Sequence, residues 1–167
     1  MKTTSFFLFC SVLLVPSLSH AKEWNGILPL HSTRTDVERK LGGPDRATNQ
    51  YASVYKTQNE VVFVLYASGS PCGPDGPDAW KVPSGTVISI TVRSNTELRL
   101  TDLHLDESKY KRTDNEGLGP PYYYYTDDTE GVQIEVTQGR VMGITYFPSA
   151  KDNHLRCLLT PKSPCSK

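Results

Sequence analysis

The chain has 167 residues, with 18 Lys+Arg against 18 Asp+Glu, so its formal net charge is zero. That length leaves room for one domain, or for two small repeats sharing a core. The charge forms no basic stripe, which argues against nucleic acid as a partner.

Residues 1–21 read as a signal peptide. Lys2 supplies the positive start, Phe6 to Val15 is a ten-residue apolar core, and Ser19 and Ala21 are the small residues before a cleavage point. The core falls well short of the roughly 20 residues that span a bilayer. Cleavage after Ala21 is expected, giving an exported protein, periplasmic or secreted, without stable membrane insertion. Cys10 lacks the small residues that precede a lipidated cysteine. Loss of Lys2 leaves the mature chain with one acid in excess.

Trp24 to Leu30 is a short apolar lead-in. A helix follows: Thr33 caps it with Asp36 three residues on, Val37 and Leu41 share a face, and Gly42-Gly43-Pro44 stops it. Arg34, Glu38, Arg39 and Lys40 are expected to face water. Tyr51–Thr57 reads as a strand, Gln58-Asn59 as a turn, and Glu60–Tyr66 as a second strand. That second strand is apolar on both faces, which suggests packing on each side. A loop rich in Gly and Pro runs from Ala67 to Gly85 and leads into an alternating strand, Thr86–Arg93. Loops of this length without secondary structure are usually functional or disordered.

A second stretch opens with Leu98, Leu100, Leu103 and Leu105, and Asp106 caps a short helical turn through Lys111. After a breaker-rich linker come strands at Tyr122–Thr126, Val132–Thr137 and Arg140–Phe147, joined by Asp127–Gly131 and Gln138-Gly139 turns. In the middle strand Val132, Ile134 and Val136 face the core, with Gln133, Glu135 and Thr137 outward. From Pro148 the sequence is polar and Lys/Pro-rich, and 149–167 reads as a surface tail.

The chain states one pattern twice. Val87-Ile88-Ser89-Ile90-Thr91-Val92 returns as Val141-Met142-Gly143-Ile144-Thr145-Tyr146, an offset of 54. Upstream, Val61–Leu65 matches Val132–Val136 at an offset of 71, and Tyr55-Lys56-Thr57 matches Tyr124-Tyr125-Thr126. The extra 17 residues fall where the first copy carries its Gly/Pro loop. Residues 22–97 and 98–148 are therefore read as two helix-strand-strand-strand repeats. Side by side they predict an α+β fold: an antiparallel sheet of six strands with helices on one face and a polar face left open.

Cys72, Cys157 and Cys165 remain after signal removal, and an exported chain tends to oxidise two of them. Three pairings are possible. Cys72–Cys157 is favoured because it ties down the Gly/Pro loop, with Cys157–Cys165 as the alternative.

Ser32-Thr33-Arg34-Thr35-Asp36-Val37-Glu38-Arg39-Lys40-Leu41-Gly42-Gly43-Pro44 resembles the helix and Leu-Gly-x-Pro stop of the SmpA/OmlA-type module, which occurs in tandem in β-lactamase inhibitory proteins. The resemblance covers Leu30 to about Val92, and the second copy less well. It implies a small exported α+β unit that binds other proteins instead of catalysing reactions. The chain is also similar to uncharacterised secreted bacterial proteins with the same Trp…His-Ser-Thr-Arg start. It departs from the module in its short second helix, without a Gly-x-Pro stop, and in lacking a lipid-attachment cysteine. No functional residue carries over.

Nothing in the sequence names a reaction. His31, His104 and His154 lie in different elements without zinc spacing, and Asp127, Asp128 and Glu130 lack the alternating oxygen ligands of a calcium loop. No catalytic residue, metal or cofactor is expected. Tyr122, Tyr123, Tyr124 and Tyr125 are the feature that points to binding. Alternate tyrosines on a strand face opposite ways, leaving two on the open face beside Gln133 and Glu135. Trp80, in the Cys72 loop, is a further candidate. The expected partner is another protein, and the expected function a non-catalytic protein-binding module of the envelope or secreted space. The alternative is an envelope hydrolase or transferase whose site no motif reveals.

Overall fold

The computed structural model describes residues 21–69, 72, 80–115 and 122–157. The signal peptide expected over 1–21 (Ala21 apart), residues 70, 71 and 73–79 of the Gly/Pro loop and the segment holding Cys165 lie outside the described residues.

One α-helix, α1 (Arg34–Leu41), precedes four strands: β1 (Arg46–Asn49), β2 (Ala52–Lys56), β3 (Glu60–Tyr66) and β4 (Val87–Ser94). Four more follow: β5 (Lys111–Asp114), β6 (Tyr122–Asp127), β7 (Val132–Thr137) and β8 (Arg140–Tyr146). All eight form one antiparallel sheet in the order β1-β2-β3-β4-β8-β7-β6-β5. Each run of four thus reads outward from a central seam between β4 and β8.

The local signals are built as the residues require. The Thr33 hydroxyl accepts from the Asp36 N–H, and the Asp36 carboxylate accepts from the Thr33 N–H at 2.9 Å, a reciprocal cap of the helix start. Gly42, at φ +83°, ends α1 and donates to the Glu38 carbonyl. The β7–β8 turn places Gln138 and Gly139 at φ +48° and +77°, the left-handed pair that a two-residue hairpin needs.

Three apolar clusters hold the fold. Val37 of α1 packs with Tyr55, Val62, Val64, Tyr66, Val87, Ile90 and Val92. On the other half, Tyr125, Val132, Ile134 and Val136 pack under Leu100, Leu103, Leu105 and Tyr110. Tyr146 touches both clusters and joins them across the seam. A smaller cluster of Leu30, Ala67, Val82 and Ile88 takes in Trp80, Leu65 and Leu155.

Five sequence expectations need correction. The sheet has eight strands, not six, because β1 and β5 add polar edge strands that carry little hydrophobic signal. The second helix reduces to 3-10 turns at Leu100–Leu103 and Glu107–Lys109, and Lys111 already belongs to β5. Val61 and Val132 are not equivalent. Val62, Val64 and Tyr66 are the buried residues of β3, against Val132, Ile134 and Val136 in β7, and a one-residue slip exchanges the faces.

Arg34, read as solvated, is half-buried. Its guanidinium donates to the Ser53 hydroxyl at 3.0 Å and the Gln50 carbonyl at 2.7 Å, and lies 4.1 Å from the centroid of the Tyr66 ring. The span read as a surface tail is also partly interior. Ser149 is 1% exposed, Asp152 4% and Cys157 7%. The reason is a second reciprocal cap, in which the Asp152 carboxylate accepts from the N–H and hydroxyl of Ser149 at the start of the Ala150–Leu155 3-10 helix.

Candidate binding surfaces

The strand registers place Tyr122, Tyr124, Thr126, Gln133 and Glu135 on one side of the sheet. Tyr124 pairs with Glu135 and Thr126 with Gln133, whose amide donates to the Thr126 hydroxyl at 3.2 Å. Tyr122 and Tyr124 meet edge to face with centroids 5.6 Å apart, and both are half-buried. Tyr123 and Tyr125 point the other way, again edge to face, into the cluster with Val132 and Ile134. Tyr125 is a buried core residue, and Tyr123 carries the Arg112 guanidinium 4.2 Å from its centroid. The four candidate tyrosines therefore divide two and two, and only Tyr122 and Tyr124 share the face of Gln133 and Glu135.

That face continues across the seam. Gln133 pairs with Thr145, Thr145 with Thr91, Thr91 with Phe63 and Phe63 with Val54. The composition changes along this row, from tyrosine and amide, through threonines, to apolar residues. Phe63 is 38% exposed, with the Arg93 guanidinium 5.3 Å above its ring. Ala52, Val54, Phe63, Leu65, Ser89 and Thr91 line a shallow depression of about 160 Å³ there. The two-sided apolar pattern of β3 was the available signal for this patch. It suggested a packed layer on each side. On the second side Leu65 does pack, into the cluster of Leu30, Ala67, Val82 and Ile88, whereas Phe63 meets solvent.

Trp80 belongs to a different region. It bridges Arg156 by backbone pairing, the Arg156 guanidinium lies 5.6 Å from its ring, and Cys72 is joined to Cys157 by a disulfide with Cα atoms 5.2 Å apart. Trp80, Asp128, Phe147, Ala150, Asn153 and Arg156 border a cleft of about 540 Å³. No sequence motif joins these residues, because they come from one loop, one hairpin turn and the terminal 3-10 segment.

Several acid–base groups of the described residues make structural contacts. Tyr55 and Tyr66 share a hydroxyl–hydroxyl hydrogen bond of 2.9 Å inside the core. Burial, then the Tyr55 hydroxyl, pushes the Tyr66 phenol far above its ordinary range. Burial also raises Tyr146, with Glu60 adding to it, and Tyr110, with Asp127 adding to it. The buried Asp127 carboxylate accepts from the N–H groups of Thr129 and Glu130, which holds the β6–β7 turn. No group of three His, Cys, Asp or Glu residues is arranged to hold a metal ion among the described residues. No helix among them is long and apolar enough to cross a membrane.

Comparison with family models and with curated proteins yields no match. Among solved structures, the chain is similar to the crystal structure of a DUF4309 family protein (YjgB) from Bacillus subtilis. The match covers 75% of this chain and 84% of that one, with 13% sequence identity and a TM-score of 0.47.

Proposed function

We propose that this protein is an exported, non-catalytic protein-binding module whose partner lies across the open face of the sheet. One observation carries the reading. A single continuous face offers half-buried Tyr122 and Tyr124 beside Glu135 at one end and the exposed Phe63 patch at the other. Aromatic groups with polar tips next to apolar surface are the composition enriched in protein interfaces.

In this proposal residues 1–21 are a cleaved signal peptide, and 22–97 and 98–148 are tandem repeats of an SmpA/OmlA-like unit. In this reading their covering elements, α1 and the Leu100–Leu105 segment, share one side of the sheet, supported by the packing of Val37 and of Leu100 against buried strand residues that Tyr146 links. The pairing of Thr91 with Thr145, residues at matching places in the duplicated motif, supports that organisation. So do the flanking pairs Ile90–Tyr146 and Val92–Ile144, which exchange into each other when each residue is replaced by its match.

The test is affinity capture from envelope extract by residues 22–167, comparing the native sequence with Tyr122→Ser/Tyr124→Ser and with Phe63→Ser. Loss of one specific partner in both variants supports the face. Undiminished capture by both contradicts it.

A further inference from the structure

The cleft beside Trp80 shares no lining residue with the depression on the sheet face and has its own chemistry. Its volume, about 540 Å³, lies within the roughly 300–1,000 Å³ of small-molecule sites. Its lining includes two aromatic residues, Trp80 and Phe147, and three residues with charged or amide side chains, Asp128, Asn153 and Arg156.

Those groups select a ligand class by elimination. An apolar ligand would leave the carboxylate, the amide and the guanidinium desolvated without partners, which is unfavourable. An anion would gain from Arg156 and be opposed by Asp128, and a cation the reverse. A neutral ligand rich in hydroxyls satisfies all three, since each hydroxyl both donates and accepts. Planar carboxylate, amide and guanidinium groups suit adjacent hydroxyls held at fixed spacing, and the guanidinium fork presents its donors in a fixed plane. The electron-rich face of an aromatic ring attracts the weakly positive C–H groups of a pyranose. We propose that this cleft binds one or two rings of a neutral oligosaccharide.

The surrounding structure fixes the walls. The backbone bridge between Trp80 and Arg156 and the neighbouring Cys72–Cys157 disulfide tie the Trp80 segment to the terminal segment. Phe147 is held by its N–H donating to the Gly131 carbonyl at 2.8 Å, and Ala150 by its N–H donating to the Asp128 carbonyl at 2.7 Å. Arg156 is exposed, so its long side chain is able to swing from above the indole and donate to a sugar instead.

The chain has two tryptophans, Trp24 and Trp80, so the amide spectrum of nitrogen-labelled protein contains two indole signals, assigned with Trp80→Phe. Titration with maltotriose, cellotriose and triacetylchitotriose at millimolar concentration is expected to move the Trp80 signal for at least one sugar and leave Trp24 unmoved. Asp128→Ala and Asn153→Ala alter exposed side chains and should each weaken that binding roughly tenfold, by loss of a hydrogen bond. Sedimentation with insoluble cellulose and chitin separates a polymer ligand, which pellets the protein, from a free oligosaccharide, which does not. Three results overturn the proposal: a Trp80 signal unmoved by every sugar, equal affinity in both variants, or a shift produced by inorganic phosphate alone.

Discussion

The hydroxyls of Thr91 and Thr145 lie 2.9 Å apart, directly opposite each other where β4 meets β8. This contact joins the two four-stranded halves at the middle of the open face, where each threonine has the other as an outward-facing partner. Replacing one by valine leaves the second hydroxyl without that bond in a half-buried position. Thr145→Val should destabilise by about 1 kcal/mol, and Thr91→Val/Thr145→Val by less than the two single changes together. Urea unfolding of the four proteins measures the coupling, and strict additivity would contradict it.

Arg34 secures α1 over β2 and β3 through Ser53, the Gln50 carbonyl and the Tyr66 ring. Arg34→Ala removes all three contacts and leaves Ser53, 1% exposed, without its donor. A loss of about 2–3 kcal/mol is expected by thermal or urea unfolding. Lys at this position should restore little, since it lacks the guanidinium fork.

Raising the pH above the tyrosines' ordinary value of 10.0 should destabilise the protein. Tyr66, Tyr110 and Tyr146 hold their protons more tightly folded than unfolded. Stability is therefore complete below the unfolded value and falls as pH rises above it, because only the unfolded chain releases those protons readily. Tyr66→Phe should reduce stability at neutral pH by about 1 kcal/mol through loss of the Tyr55 bond, while flattening the decline above pH 10.0. Unfolding midpoints measured across that range check both signs.

The Cys72–Cys157 link spans 85 residues of sequence, so its removal releases much unfolded-state entropy. The chain-entropy relation gives about 4–5 kcal/mol for a loop of that size. Cys72→Ala/Cys157→Ala should lose stability of that order in denaturant unfolding, and reduction of the native protein should approach the same value.

Gly131 sits at φ +68°, where an added Cβ would overlap the Phe147 carbonyl. Backbone strain alone is worth roughly 1–2 kcal/mol for a non-glycine residue in this region. Gly131→Ala should exceed that in a thermal melt, because the strand end carrying Phe147 must also move.

Much of the frame was legible because it follows from period and punctuation. β3 and β7 match their expected bounds, and α1 has the cap and stop written into Thr33, Asp36 and Gly42. What escaped depends on long-range partners. β1 and β5 are four-residue polar edges whose strand character comes from β2 and β6. Arg34 has the sequence signature of a solvated helix face, and only the approach of Ser53 and Tyr66 makes it half-buried. The duplicated motif matched Thr91 with Thr145, which pair across β4 and β8, but named no seam, and it slipped by one residue at Val61, since valine occupies both faces of β3 and similarity alone does not choose between them. Alternation divided the four tyrosines two and two without choosing the pair, which the register with β7 decides, whereas the Trp80 cleft gathers residues from three separate segments.

The central claim is that a protein partner covers the open face. A photo-reactive phenylalanine analogue at position 124 tests it most directly, with parallel substitutions at Phe63 on the same face and at exposed His104 outside it. Illumination in envelope extract should give one specific adduct from positions 124 and 63, suppressed by excess native protein, and none from position 104. An adduct of equal yield from position 104, or none from either face position, would contradict the account.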